Sequence, residues 1–192
     1  MDDSKEAKYF CPSCGENVEM YIVEREGGRD THCIFCGMIV ESAPVAKFKI
    51  ADTTLVADDS SMIRKMLGDM LIDAELTRKV SGCSNGPEFI TAFTKKAVSK
   101  DPYSLVIMDV NMPVLNGINA AIAFRSIEKA LQLKPVPLLF FTARKCDENF
   151  KKILAYCKPA QYVNKGINFS SLEVLASRIT QVVSHLLTES QK

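Results

Sequence analysis

The sequence predicts an α/β chain in which a five-stranded parallel sheet is interleaved with helices and preceded by a small cysteine-bound β module. Three observations carry this. From residue 53 onward, short apolar runs alternate five times with stretches of helical period, and such alternation builds a parallel sheet with right-handed crossovers. Ahead of that region stand two Cys-x-x-Cys pairs separated by eighteen residues. The composition, 192 residues with 47% hydrophobic and 24% charged, suits one ordinary core plus a small module.

The first module rests on Cys11-Pro12-Ser13-Cys14-Gly15 and Cys33-Ile34-Phe35-Cys36-Gly37. Four thiolates in two short turns close a tetrahedral sulfur shell, which suits structural zinc, whereas a catalytic zinc keeps a position open for water. The glycine after each second cysteine permits the tight turn that aims backbone amides at sulfur. A segment this short needs the metal, because apolar burial alone cannot hold it. Disulfides, or a pair of redox Cys-x-x-Cys motifs, are the competing readings. The pattern resembles zinc ribbons over residues 9–41, with strands expected at 18–24 and 38–40 and a connecting turn at 26–30. His32, beside Cys33, is an alternate ligand on paper and is expected to be solvated.

Residues 42–49 read as a linker, since no periodic pattern runs through them. A strand at 53–57 then ends at Asp58-Asp59. Ser60 can cap the next helix, whose Met62, Ile63, Met66, Leu67, Met70 and Leu71 share a core face. A strand at 76–81 and a helix at 87–99 follow. Leu105 to Met108 form an apolar run suited to a strand buried on both faces, and the run stops at the carboxylate of Asp109. Met112-Pro113 and Asn116-Gly117 mark the loop before a helix at 117–131. The series continues with a strand at 136–142, a helix at 147–156, a strand at 161–163 and a helix at 170–187. Leu172, Leu175, Ile179, Val182 and Leu186 make the core face of that last helix. Cys83, Cys146 and Cys157 are expected to be small, partly buried apolar residues, and His185 to be solvated.

Asp58, Asp59, Asp109, Thr142 and Lys165 all fall at the carboxyl edge of this sheet, where ligands of open α/β sheets bind. Three crowded carboxylates repel one another unless a cation sits among them, and hard oxygens suit magnesium. With that charge neutralised, Asp109 can attack a phosphoryl group while Lys165 and the Thr142 hydroxyl hold its oxygens. The residues resemble the receiver domain of two-component response regulators, a flavodoxin-like (βα)5 fold, over residues 50–188. The matching segments are Val-Ala-Asp-Asp-Ser at 56–60, Met-Asp-Val-Asn-Met-Pro at 108–113, Phe-Thr-Ala at 141–143 and Tyr-Val-Asn-Lys at 162–165. The resemblance implies Asp109 as phosphoacceptor, and magnesium bound by Asp58, Asp59, Asp109 and the backbone carbonyl of Asn111. It also implies Thr142 and Tyr162 as a switch pair. The chain departs from the family at Gly166, where most receivers carry proline, and at Asn116, usually Asp.

These readings describe a response regulator of the chemotaxis type, with no output domain expected after the receiver. It takes a phosphoryl group from a histidine kinase or phosphotransfer protein and signals through an unidentified protein target. It is no conventional enzyme, but a magnesium-dependent phosphoacceptor that catalyses its own phosphorylation and dephosphorylation. A phosphorylation-dependent homodimer is left open. Two alternatives stand: a phosphorylation-independent zinc-ribbon scaffold, and a transcription-associated effector that contacts RNA polymerase. Residues 1–45 carry four Lys or Arg against nine Asp or Glu, −5, and the remainder carries +6. Zinc bound by four thiolates lowers the first figure by two more, so the module is not expected to grip a DNA backbone. No apolar run is long enough to span a membrane, and a cytoplasmic location is expected.

Overall fold

The computed structural model describes residues 9–25, 28–41, 50–165 and 172–189. Strands β1 (Tyr9–Cys11), β2 (Glu16–Val18), β3 (Met20–Arg25), β4 (Gly28–Cys33) and β5 (Ile39–Glu41) form the first module. There follow β6 (Ala51–Ala57), α1 (Ser61–Asp73), β7 (Thr77–Cys83), α2 (Gly86–Val98), β8 (Leu105–Met108) and α3 (Gly117–Ala130). The chain continues through β9 (Leu138–Thr142), α4 (Glu148–Tyr156), β10 (Ala160–Asn164) and α5 (Leu172–Glu189). The large sheet has the order β10-β9-β8-β6-β7, parallel throughout.

Because the chain runs outward from β6 to β7 and then crosses back to β8, the strand order reverses between β6 and β8. The crevice outside their carboxyl ends is the switch point at which such sheets bind ligands. β8 and β9 are buried along their whole length, as expected for strands covered by helices on both faces. Each of the first four helices opens on a side chain that accepts an N–H of its first turn: Ser60, Asn85, Asn116 and Asp147. Between α2 and α3, Phe89, Phe93 and Phe124 pack with centroids 4.5–6.2 Å apart.

In the small module β1 pairs with β2, and β3, β4 and β5 make an antiparallel sheet. Gly15 and Gly37 adopt φ of +79° and +73° and donate to the carbonyls of Cys11 and Cys33, closing the two knuckles. Two expectations fail here. The turn expected at 26–30 is shorter, because Gly28 to Asp30 already belong to β4, paired with Arg25 to Val23. β4 is polar along most of its length, so hydrophobic alternation could not reveal it. His32 is not solvated: it is buried, its Nδ1 is 3.0 Å from the Gly37 carbonyl, and its ring stacks on Tyr21. His185 is half-buried on α5 rather than solvated. Residues 42–49, read as a linker, and Gly166 lie outside the described residues, as does the side chain of Leu172.

The first knuckle lies on the far edge of the large sheet. Ser13 accepts the Asn164 N–H at 3.0 Å, and its hydroxyl donates to the Tyr162 carbonyl. Arg178 of α5 reaches the Pro12 carbonyl at 2.7 Å. No helix among the described residues is long and apolar enough to cross a membrane.

Candidate functional site

Asp58 leaves β6 at the switch point and is almost wholly buried. Its Oδ1 accepts the Ser60 N–H at 3.0 Å and its Oδ2 lies 2.5 Å from Lys165 Nζ. Burial pushes the Asp58 carboxyl above the usual range, while the bond and charge of Lys165 pull it back. The carbonyls of Asp58 and Asp59 both accept from Arg64 Nη1, at 2.6 and 3.2 Å, which fixes the acidic turn. Asp59 itself is exposed.

Asp109 follows β8, its N–H held by the Ala57 carbonyl at 2.8 Å. Its Oδ2 is 3.0 Å from Lys165 Nζ, while its Oδ1 is buried with no hydrogen-bond partner among the described residues. One carboxylate oxygen from each of Asp58, Asp59 and Asp109 falls within 4.8 Å of the others. Such a set of hard donors, with one buried oxygen unsatisfied, fits a divalent cation. Asn111 is exposed in the loop that follows. The tightness of that loop requires Gly117, since a Cβ there would stand 1.9 Å from the Asp109 carbonyl oxygen.

Thr142 ends β9 fully buried, and its hydroxyl accepts the Arg144 N–H at 3.3 Å. Its carbonyl takes the Lys165 N–H at 2.8 Å, so β9 and β10 deliver hydroxyl and ammonium together. The three carboxylates and the Lys165 ammonium thus meet in one cluster, and Thr142 stands at the end of the neighbouring strand beside Lys165. Tyr162 is buried against Phe150, but its hydroxyl faces the small module, donating to Cys14 Sγ at 3.1 Å.

The four cysteine sulfurs of the small module also converge within 4.8 Å, with Cys11–Cys36 and Cys14–Cys33 separations of 3.5 and 3.6 Å. Tetrahedral zinc with bonds of about 2.3 Å places its sulfurs about 3.8 Å apart, so the set fits. Sequence reasoning missed Arg64, Ser13 and Arg178. Arg178 alone carried a signal: it sits three residues after Leu175 and one before Ile179, on the apolar face.

The response regulator receiver domain model matches residues 54–177. The chain belongs to the response regulator receiver domain family. A protein-glutamate methylesterase/protein-glutamine glutaminase 1 from Methanosarcina acetivorans is 35% identical over 89 residues, 46% of this chain and 22% of that protein. A hybrid signal transduction histidine kinase I of Dictyostelium discoideum is 27% identical over 135 residues, 70% of this chain and 8% of its own. The chain therefore spans about a fifth or less of these relatives. Among solved structures, Vibrio cholerae chemotaxis protein CheY4 superposes with a TM-score of 0.51 at 27% identity, covering 68% of this chain and 98% of its own. The receiver domain of the Arabidopsis thaliana histidine kinase CKI1, complexed with Mg2+ and BeF3−, has a TM-score of 0.55 at 20% identity, over 69% and 90% of the two chains.

Proposed function

We propose that the protein is a two-component response regulator whose receiver, residues 50–188, accepts a phosphoryl group on Asp109, with a zinc ribbon at residues 9–41. The observation that carries this is the division of labour at Asp109. One oxygen is held by Lys165, and the other is buried with no partner among the described residues, which suits a carboxylate that would take a cation or a phosphoryl group there. Asp58, Asp59, Asp109 and the Asn111 carbonyl would hold magnesium, whose positive charge would let an anionic donor approach three carboxylates. Cys11, Cys14, Cys33 and Cys36 would hold zinc, which would stabilise the fold of the ribbon.

An Asp109 oxygen attacks phosphorus in line while the bond from phosphorus to the donor's imidazole nitrogen breaks. The imidazole leaves with the electron pair and Asp109 becomes an acyl phosphate. Lys165 and the Thr142 hydroxyl hold two of the transferred oxygens, and water later reverses the modification at the same centre. The donor is a histidine kinase or a phosphotransfer protein, and the output is a changed protein contact. The test is chemical mapping: after acetyl phosphate and magnesium, borohydride should reduce one acyl phosphate, in the peptide holding Asp109. A label at another residue, or none on folded protein, contradicts the assignment.

A further inference from the structure

We propose that the Cys11–Cys14 knuckle is a latch on the β10–α5 face of the receiver, and that filling Asp109 opens it. The inference rests on the reading of Asp109 as phosphoacceptor and of the four cysteines as a zinc site.

The joint is built rather than casual. Arg178 is 3% exposed, and a buried guanidinium is tolerated only when its donors are satisfied. Its Nε donates to the Pro12 carbonyl at 2.7 Å, and its Nη2 to the carbonyls of Ser13 and Asn164, each at 3.3 Å. Two of these three acceptors belong to the ribbon. The guanidinium also lies close against Gly15: a Cβ there would meet Arg178 Nη2 at 2.5 Å, so a larger residue would push the guanidinium from its place. A zinc ion with four thiolates carries net charge of about −2, which the Arg178 cation complements at close range.

The strand that holds the knuckle also holds the acidic site. Tyr162 gives its carbonyl to Ser13 and its hydroxyl to Cys14, and Asn164 gives its N–H to Ser13. The next residue is Lys165, bridging Asp58 and Asp109. A second path runs from the Thr142 hydroxyl through the Arg144 N–H to the Arg144 carbonyl, which accepts from Asn164 Nδ2 at 3.1 Å. A phosphoryl group on Asp109 draws both Lys165 and the Thr142 hydroxyl toward its oxygens. The longer of the knuckle's bonds, Asn164 N–H to the Ser13 carbonyl at 3.0 Å and Arg178 Nη2 to the same carbonyl at 3.3 Å, reach or pass the limit of a hydrogen bond with a shift of about 0.5 Å. A cavity of about 260 Å³ beside the joint, lined by Cys14, Phe35, Cys146 and Tyr162 among others, leaves it less tightly packed than a core. The added negative charge is also of the same sign as the zinc–thiolate cluster. By linkage, docking of the ribbon must in turn weaken phosphorylation.

Cys146 is a natural reporter, since its Sγ lies 3.6 Å from the Phe35 carbonyl of the ribbon. Zinc-loaded full-length protein with magnesium would be treated with beryllofluoride, a phosphoryl mimic. Alkylation of Cys146 and amide exchange at residues 9–18 would be followed by peptide mass spectrometry. Breaking one or two hydrogen bonds should speed both by about three- to tenfold, with no change in Asp109→Asn. Tyr162→Phe, which loses only the bond to Cys14, should accelerate alkylation without beryllofluoride while zinc is retained. Beryllofluoride that protects residues 109–113 but leaves Cys146 and residues 9–18 unchanged, or slower, overturns the latch and leaves the phosphoacceptor standing. Failure of beryllofluoride to protect residues 109–113 at all overturns the phosphoacceptor reading, and the latch with it.

Discussion

Arg125 offers the sharpest test of how the sheet edge is held. Its side chain is 8% exposed. The guanidinium donates to the Cys157 carbonyl at 2.8 and 2.5 Å, to the Pro159 carbonyl at 3.2 Å, to the Val136 carbonyl at 2.9 Å and to Glu128 Oε2 at 2.7 Å. It thereby ties α3 to the segments that lead into β9 and β10, the strands that carry Thr142 and Lys165. Arg125→Leu keeps the stem but removes every donor, leaving Glu128 as a buried charge, and breaking such a pair costs about 3–5 kcal/mol. Three carbonyls lose partners as well, so the upper half of that range, about 4–5 kcal/mol, is expected. Burial already raises the Glu128 carboxyl above its usual value, with Arg125 opposing the rise; without the guanidinium it rises further. A carboxyl whose folded pKa exceeds its unfolded value favours the folded state at low pH, and this advantage is lost as pH climbs through the raised value. The deficit of the variant should therefore be larger at about pH 7.5 than at about pH 5. Glu128→Gln retains an acceptor for the Val136 N–H, now bonded to Oε1 at 2.6 Å, but leaves the guanidinium without its carboxylate; because the four guanidinium–carbonyl bonds survive, it should cost about 3 kcal/mol, the foot of that range. Urea unfolding of zinc-loaded protein, followed by far-UV circular dichroism, reads both effects. Equal costs for the two substitutions, or an Arg125→Leu deficit independent of pH, would refute the reasoning.

Gly117→Ala places a methyl 1.9 Å from the Asp109 carbonyl oxygen, a backbone atom that cannot swing away. The loop must move, at a cost of about 1–3 kcal/mol, and acetyl phosphate labelling should slow more than tenfold while circular dichroism stays native. Phe124→Ala empties the centre of the fully buried aromatic cluster with Phe89 and Phe93. It should cost about 3–5 kcal/mol in the same unfolding assay. Removing zinc with a strong chelator should unfold residues 9–41 and expose Tyr162 and Arg178, yet leave the large sheet standing, because the hydrogen bonds described between the two fall on the edge strand β10, on α5 and on the loop at Cys146. Hydrogen exchange mapping checks this, and cooperative loss of both modules at once would contradict it.

The large sheet was legible because each strand is an apolar run of the right length and its helices repeat at 3.6. The acids were legible because each stands where an apolar run stops, and a parallel sheet sends every such end to one edge. Strand limits shifted by a residue or two, as between the expected 161–163 and the observed Ala160–Asn164. What stayed hidden was polar. β1 and β2 are three residues long with one buried residue each, and β4 is polar along most of its length, so they carry no hydrophobic alternation to find. Arg125, Glu128 and Arg178 look like solvated charges one at a time, although each occupies a helix position facing the core. Glu128 sits four residues after Phe124, and Arg178 three after Leu175. Tyr162 was placed correctly on its strand, but its bond to Cys14 joins residues 148 apart in sequence, beyond any local pattern.

The measurement that bears most directly on the account is the intact mass of the zinc-loaded protein after acetyl phosphate, with and without magnesium, beside Asp109→Asn. One phosphoryl adduct is predicted in the native protein with magnesium, and none without magnesium or in the variant. An adduct that persists in folded Asp109→Asn would contradict the central claim, as would the absence of any adduct with acetyl phosphate and with a phosphorylated histidine kinase alike.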